Sequence, residues 1–506
     1  MSNFFRFFDL PRELRDLIYY KYVSVGGYIQ NPETWRLRTV QDEPIDLNLM
    51  YTCHQVANEM KGVALSRNTI NFRTTLGGTG NVYADAYDTL MERTDSMKRN
   101  MLRAARGCLT EETKAQVTQA YPKFTPVLDG LDKYWDHHRL GQVPTVFNEA
   151  LDYTLRLMSY HPEFPQRMTE YEAELGLGRQ GHTRAAFFSP HEPWDIPRRK
   201  DVLYLASING YQPVDNSPRS ANSPPVNSSP VKGQRCYSAA AMCILFLRCI
   251  PIETSAYLRD IVLHEDNAAV CEPATHARGL IGFCRENPRL RIERRVDIWK
   301  NAFLGEVMRE DTPDFRGLDN DVVAQMIRAE VSVTMTRSIA LWTIEAMTLQ
   351  PLGMPTKSFS LVFHGGSVPA NKSEEIFQKV IHRDAAMQLA LEGCITRGHV
   401  APCNPCQDRL YECHSFDSFP GIFHSVVDGK IPMIDFSFNP GDYSEYDIEE
   451  MIGERIWWTR DEWNGYTDNG EPCEGPSWLD RDGVSLNTPA PLPPWRELME
   501  EIGGTG

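Results

Sequence analysis

Leu10-Pro11-Arg12-Glu13-Leu14-Arg15-Asp16-Leu17-Ile18-Tyr19-Tyr20-Lys21-Tyr22-Val23 is the stretch from which the chain is read outward. Proline suits the start of a helix, where its fixed φ fits and its missing N–H is not needed. Glu13 then falls in the first turn, where the helix dipole favours a carboxylate. Leu10, Leu14, Leu17, Ile18 and Tyr22 recur at spacings of three and four, which places them on one stripe. A helix this short is marginal in isolation, so the spacing predicts one that docks against a neighbour.

Two further segments follow after a long insertion. They are Leu49-Met50-Tyr51-Thr52-Cys53-His54-Gln55-Val56-Ala57-Asn58-Glu59 and Leu65-Ser66-Arg67-Asn68-Thr69-Ile70-Asn71-Phe72. Together with the first helix they resemble the divergent F-box-like module of proteins from filamentous fungi. That module has a Leu-Pro-x-Glu-Leu helix, a Thr-Cys-Arg-Gln helix with a Glu four residues on, and a Tyr-x-x-Asn-Thr-x-x-Phe strand. His54 and Leu65 depart from the pattern.

A second block is similar to the region downstream of the module in those proteins, for which no chemistry transfers. It comprises Tyr237-Ser238-Ala239-Ala240-Ala241, Ile261-Val262-Leu263-His264-Glu265-Asp266, His276-Ala277-Arg278-Gly279-Leu280 and the run from Glu286 to Trp299. The resemblance implies an interaction protein and not an enzyme. Its N-terminal helices would dock a Skp-type linker subunit of a cullin–RING ubiquitin ligase, and the remainder would present a protein substrate. Leu10, Pro11, Leu14, Leu17 and Ile18 would form the apolar anchor, in the helix-in-groove manner. Two alternatives stay open. The module is a purely structural element, or residues 235–440 form a hydrolase or transferase with His264 and Glu265 as acid/base groups.

At 506 residues, 42% apolar and 24% charged, the composition is that of a globular protein with room for two or more domains. No apolar run is long enough for a membrane span, and the N-terminus lacks the pattern of a secretory signal. Twelve cysteines without a framework spacing suit free thiols in a reducing compartment, hence cytoplasm or nucleus. The net charge of −16 argues against a nucleic-acid surface. That charge is uneven: from Pro440 onward sixteen Asp and Glu face four Arg.

The fold class expected is α+β, mainly helical with short strands. The divisions read are an F-box-like module (1–75), a helical region (76–211), a Ser/Pro-rich linker (212–234), an α/β region (235–440) and an acidic Trp-rich tail (441–506). The linker carries five prolines and no aromatic residue, so it cannot bury enough to offset its ordering entropy and is read as disordered. Whether it separates two domains or loops out of one stays open. Gly26 to Glu43 reads as a loop or hairpin. Strands are expected at 69–74, 258–264, 359–363 and 431–438, the last at an edge or strand start because of Pro432. Helices are expected through 86–180, at 237–250, 278–286 and 294–304, over Ile327 to Ala346, and from an N-cap at Ser373.

Five constellations invite chemistry. Cys394, His399, Cys403, Cys406, Cys413 and His414 hold one pair with the two-residue gap of a zinc grip, so a structural zinc is a possible cofactor beside free loop cysteines. Ser217, Ser223 and Ser229 each precede proline and suit a proline-directed kinase, or else belong to an inert spacer. Gly77-Gly78-Thr79-Gly80 lacks the Lys-Ser/Thr of a phosphate loop, and His137-His138 lacks further ligands at helical reach. The arginines from Arg285 to Arg295, interleaved with Glu286, Glu293 and Asp297, read as an ion-paired helix surface.

Overall fold

A computed structural model describes residues 6–31, 34–74, 83–131, 144–175, 182–210, 236–303, 335–366, 368–402 and 414–463. The fold is α+β and mainly helical, with seven short strands in one sheet among the described residues. These are β1 (Tyr28–Gln30), β2 (Leu37–Thr39), β3 (Ile70–Arg73), β4 (Asp260–Glu265), β5 (Arg291–Asp297), β6 (Phe359–His364) and β7 (Ile434–Phe436). Their spatial order is β2-β1-β3-β4-β5-β6-β7. Among the described strands the β1–β2 hairpin is antiparallel and the other neighbouring pairs are parallel.

From β1 to β7 along the parallel part, each strand lies beside the next one in sequence, and the order never reverses. Crossovers between parallel strands are right-handed almost without exception, so an order that never reverses puts all of them on one side. Burial alternates accordingly. Ile70, Phe72, Ile261, Leu263, Ile292, Val296, Phe359, Leu361 and Phe363 are buried, while Asn71, Val262, His264, Glu293, Ser360, Val362 and His364 between them are only partly so. Strands of a parallel sheet covered on both faces read instead as continuous apolar runs. The helix Ala239–Cys249 packs on the buried face, with the Phe246 ring 5.5 Å from that of Phe72.

One main core runs through the molecule. Leu205 and Ile208 before residues 211–235, and Tyr237 after them, belong to it together. The chain on both sides of that segment therefore packs into a single core. The sheet also joins the N-terminal strands to the rest, because β3 pairs with β4 across nearly two hundred residues. Among the described residues two satellite clusters lie beside it. Tyr19, Val23, Val56 and Met60 form one; Met387, Leu391, Cys394, Ile452 and Trp463 form part of the other.

Two expectations need correction. Residues 294–304 were expected to be helical, but Arg291–Asp297 is β5 and only Ile298–Phe303 turns helically. Alternation of Ile292, Arg294 and Val296 inward against Glu293 and Arg295 outward is the period of a strand. An arginine in the inward register disguised it. Ser373 is no N-cap either; it lies within Ala370–Ile376, fully buried, and its Oγ accepts from Trp299 Nε1 at 3.1 Å. In the helix over 335–348, Met335, Ile339, Trp342 and Ala346 are buried as read, while Ile327 and Val331 lie outside the described residues.

Arg294 faces inward because Glu265 meets it. Arg294 Nε and Nη2 donate to Glu265 Oε1 at 2.9 and 2.7 Å, and neither side chain is more than 1% exposed. Glu265 also accepts Ala239 N–H at 2.9 Å and Ala240 N–H at 3.2 Å, two of the unpaired amides that open the Ala239–Cys249 helix. Arg294 Nη2 donates again, to Pro273 O at 2.7 Å, and the guanidinium lies 4.5 Å from the Trp342 ring centre. Burial lowers the Arg294 pKa, against the raising effect of Glu265. Removing one partner of such a pair strands the other in a dry interior. Arg294→Met is therefore expected to lose on the order of 3–5 kcal/mol in urea denaturation. Wild-type stability in that variant would contradict the assignment.

Candidate functional site

The first helix, α1 (Arg12–Val23), begins after Pro11, carries Glu13 in its first turn and Lys21 in its last. Its neighbours are α2 (His54–Glu59) and α3 (Val63–Arg67). The helix docks, as its length requires, but through Tyr19, Val23 and the partly buried Tyr22 and not through the rest of the apolar stripe. Tyr19 and Val23 are buried, whereas Leu14, Leu17 and Ile18 are 46%, 60% and 41% exposed. Leu10 is partly buried and Pro11 exposed. Leu14, Leu17 and Ile18 form one outward face.

A polar clamp holds the other side. Arg15 Nε and Nη2 donate to the two Glu59 oxygens at 2.9 and 2.7 Å, and Tyr19 Oη donates to Glu59 Oε2 at 2.7 Å. Gln55 Nε2 adds a bond to Glu59 Oε1 at 3.0 Å, and Arg15 Nη1 donates to Leu10 O at 2.6 Å. The Arg15 and Glu59 side chains are only 11% and 8% exposed. The Arg15 bonds, first among several, pull the Glu59 carboxyl down from 4.5 to about 2. Burial, then Glu59, pushes the Tyr19 hydroxyl up to about 12.

Asn68 fixes the far end of α1. Its Nδ2 donates to Val23 O at 2.8 Å and Ala64 O at 2.9 Å, and its Oδ1 accepts Val25 N–H at 3.2 Å. The insertion between the helices forms the β1–β2 hairpin, which joins the three helices to the sheet through β3. Gly62, at φ +76° between α2 and α3, lies so close to the Tyr257 ring that no β-carbon would fit. Arg15, Glu59 and Asn68 were thus the residues that periodicity missed. Glu59 and Asn68 stood within the quoted motif, but only their pairing distances reveal the clamp.

The other candidates divide. His264 and Glu265 are consecutive in β4, so they project to opposite faces and cannot act on one substrate together. Glu265 caps a helix and pairs with Arg294, as described above. Cys394 is fully buried in its satellite core, where burial raises its thiol pKa and disfavours the thiolate a metal needs. His399 is exposed, and His414 Nε2 lies 3.3 Å from Asp417. Cys403, Cys406 and Cys413 lie outside the described residues, as do Ser217, Ser223, Ser229, His137, His138 and Gly77 to Gly80. Among the described residues no group of three His, Cys, Asp or Glu could hold a metal ion, and no helix is long and apolar enough to cross a membrane.

Glu59 has a folded pKa below its ordinary value, so its stabilising effect is complete above about pH 4.5 and is lost as pH falls toward 2. Glu59→Ala is expected to cost on the order of 1–3 kcal/mol at neutral pH, since Arg15 and Tyr19 lose their acceptor. Denaturation of both proteins as a function of pH should show that gap closing below about pH 4. A gap independent of pH would exclude the clamp as its cause. No protein-family model matches the chain, and no curated protein and no solved structure matches it either.

Proposed function

We propose that this chain is an F-box-like interaction protein, a substrate adaptor that docks a Skp-type linker subunit of a cullin–RING ubiquitin ligase. The observation that carries the reading is the inverted first helix. An ordinary surface helix turns its apolar stripe to the core and its charges to water. Here Arg15 is turned inward and clamped, while Leu14, Leu17 and Ile18 face out. Contiguous exposed apolar residues on a rigid helix are a common mark of a protein-binding surface.

The occupant follows from the resemblance of residues 10–23, 49–59 and 65–72 to the fungal F-box-like module. In that role the outward leucines and isoleucine enter an apolar groove of the linker, and the clamp presets the helix so that little order is lost on binding. They make and break no bonds. A cytoplasmic or nuclear setting suits the reading, and the eight cysteines among the described residues form no disulfide.

Leu14→Asp with Ile18→Asp is the direct test, with binding of a recombinant Skp-type subunit measured by calorimetry. Both sites are exposed, so the variant should melt like the wild type. Binding should weaken by about a hundredfold or more, since each buried apolar anchor contributes about 2 kcal/mol. Absence of binding by the wild type, or equal binding by the variant, would overturn the proposal.

A further inference from the structure

β4, β5 and β6 run parallel, so their first residues lie at one end of the sheet. The segments that lead into them are 256–260, 285–291 and 353–358. These carry Arg259, Arg285, Arg289, Arg291 and Lys357 against two carboxylates, Asp260 and Glu286. Arg259 is partly buried and the other four cations are exposed. Register makes them neighbours. Arg291 N–H donates to Arg259 O at 2.6 Å and Ile292 N–H to Ser358 O at 2.9 Å, so Leu290 stands between Arg259 and Lys357. The Arg285 stem passes 3.9 Å from the point where Gly353 would carry a β-carbon, beside the turn that leads to Lys357.

The ion-paired helix surface expected from Arg285 to Arg295 divides in the structure. Arg294 and Arg295 meet Glu265 and Glu293. Arg285, Arg289 and Arg291 form no ion pair among the described residues, and neither do Arg259 and Lys357.

Two of these guanidinium groups are nonetheless held in place. Arg259 Nη1 donates to Ala256 O at 2.9 Å and Leu258 O at 2.7 Å. Arg291 Nη1 repeats the pattern on Pro288 O at 2.8 Å and Leu290 O at 2.9 Å. Each spends one terminal nitrogen on its own turn and leaves the Nε–Nη2 edge without a partner among the described residues. That edge is the fork with which an arginine receives two oxygens side by side. Arg15 uses it on Glu59. Asn287 fixes the two turns to each other: its Nδ2 donates to Ser255 O at 2.9 Å and Leu258 O at 3.0 Å, and its Oδ1 accepts Arg289 N–H at 3.2 Å.

Like charges gathered without counter-charges repel one another, so an anion is the ligand that stabilises such a group. Two forks and three further cations exceed what one carboxylate takes up. A phosphate monoester brings three acceptor oxygens and nearly two charges at neutral pH. We infer that the leading end of β4 to β6 is a binding site for a phosphate monoester, gripped by the Nε–Nη2 edges of Arg259 and Arg291 and drawn in by Arg285, Arg289 and Lys357. Two sources supply that chemistry. One is a phosphorylated Ser217, Ser223 or Ser229 of this chain, each followed by proline; the other is a phosphate ester on a separate molecule. The site shares no residue with α1 and stands apart from the adaptor reading. The net charge of −16 does not cancel it, because screening confines each charge to about 8 Å in physiological salt.

Fluorescence anisotropy of the full-length chain, prepared without phosphate on serine, tests the inference. The probes are a labelled peptide of residues 214–226 phosphorylated at Ser217 and Ser223, its unphosphorylated twin, and phenyl phosphate as competitor. The phosphopeptide should bind, the twin should not, and phenyl phosphate should displace the first, with affinity falling as salt rises. Arg259→Gln with Arg291→Gln should weaken binding about tenfold or more, since two charge-assisted forks are lost. Arg289→Gln with Lys357→Gln removes two exposed side chains, so it should melt like the wild type and still weaken binding by about threefold. The Leu14→Asp, Ile18→Asp variant should bind the phosphopeptide like the wild type. Stoichiometric phosphorylation of the chain's own three serines separates the sources: weaker binding of the added phosphopeptide assigns the ester to this chain, and unchanged binding assigns it to a separate molecule. Equal binding of the phosphopeptide and its twin, no binding of the phosphopeptide, or binding unaffected by both pairs of substitutions would overturn the inference.

Discussion

The buried pair of Glu265 and Arg294 is the contact on which the architecture turns. Two opposite charges in an apolar interior are tolerable only when every remaining donor and acceptor is met. Glu265 meets two amides at the start of a helix, and Arg294 meets a carbonyl of the 273–280 turn and the face of Trp342. Asn301 Nδ2 binds Glu265 O at 3.2 Å and Asn267 O at 2.7 Å, which ties in the segment after β5. A pair of side chains thus orients two strands, the first helix of the downstream region and the helix over 335–348. An apolar pair of equal volume would pack there too, but would leave the helix amides of Ala239 and Ala240 without an acceptor.

The second constraint is topological. Strands laid down in sequence order, with crossovers of one hand, collect their helices on one face. The remaining face then needs side chains that tolerate water, and Asn71, Arg73, His264, Glu293 and Ser360 supply them. The β1–β2 hairpin extends the same sheet toward the N-terminal helices, so α1 is held in a fixed relation to that face. Two surfaces with different chemistry, one apolar and helical, one polar, are linked through the same sheet.

Much of this was legible in the residues. The strands at β3, β4, β6 and β7 carry β-branched and aromatic residues bounded by turn signals, and β7 lies at the sheet edge as Pro432 suggested. β5 was not legible, because pattern reading scores arginine as outward and Arg294 points inward to a partner 29 residues away. The stripe on α1 was visible, but which side docks was not. That depends on Arg15 and Glu59 meeting across 44 residues, a distance that periodicity does not span. The polar row across the sheet was hidden for the same reason: Arg73, His264 and Arg295 are neighbours only after the strands pair.

Arg15 and Tyr19 anchor α1 from one side and leave Leu14, Leu17 and Ile18 outward, the side proposed to receive a linker subunit. Hydrogen–deuterium exchange of the full chain, with and without a recombinant Skp-type subunit, addresses it most directly. The account predicts added protection of amides confined to residues 11–23 and the adjoining 47–59, with the sheet unchanged. Protection elsewhere, or none at α1 in the presence of saturating subunit, would contradict it.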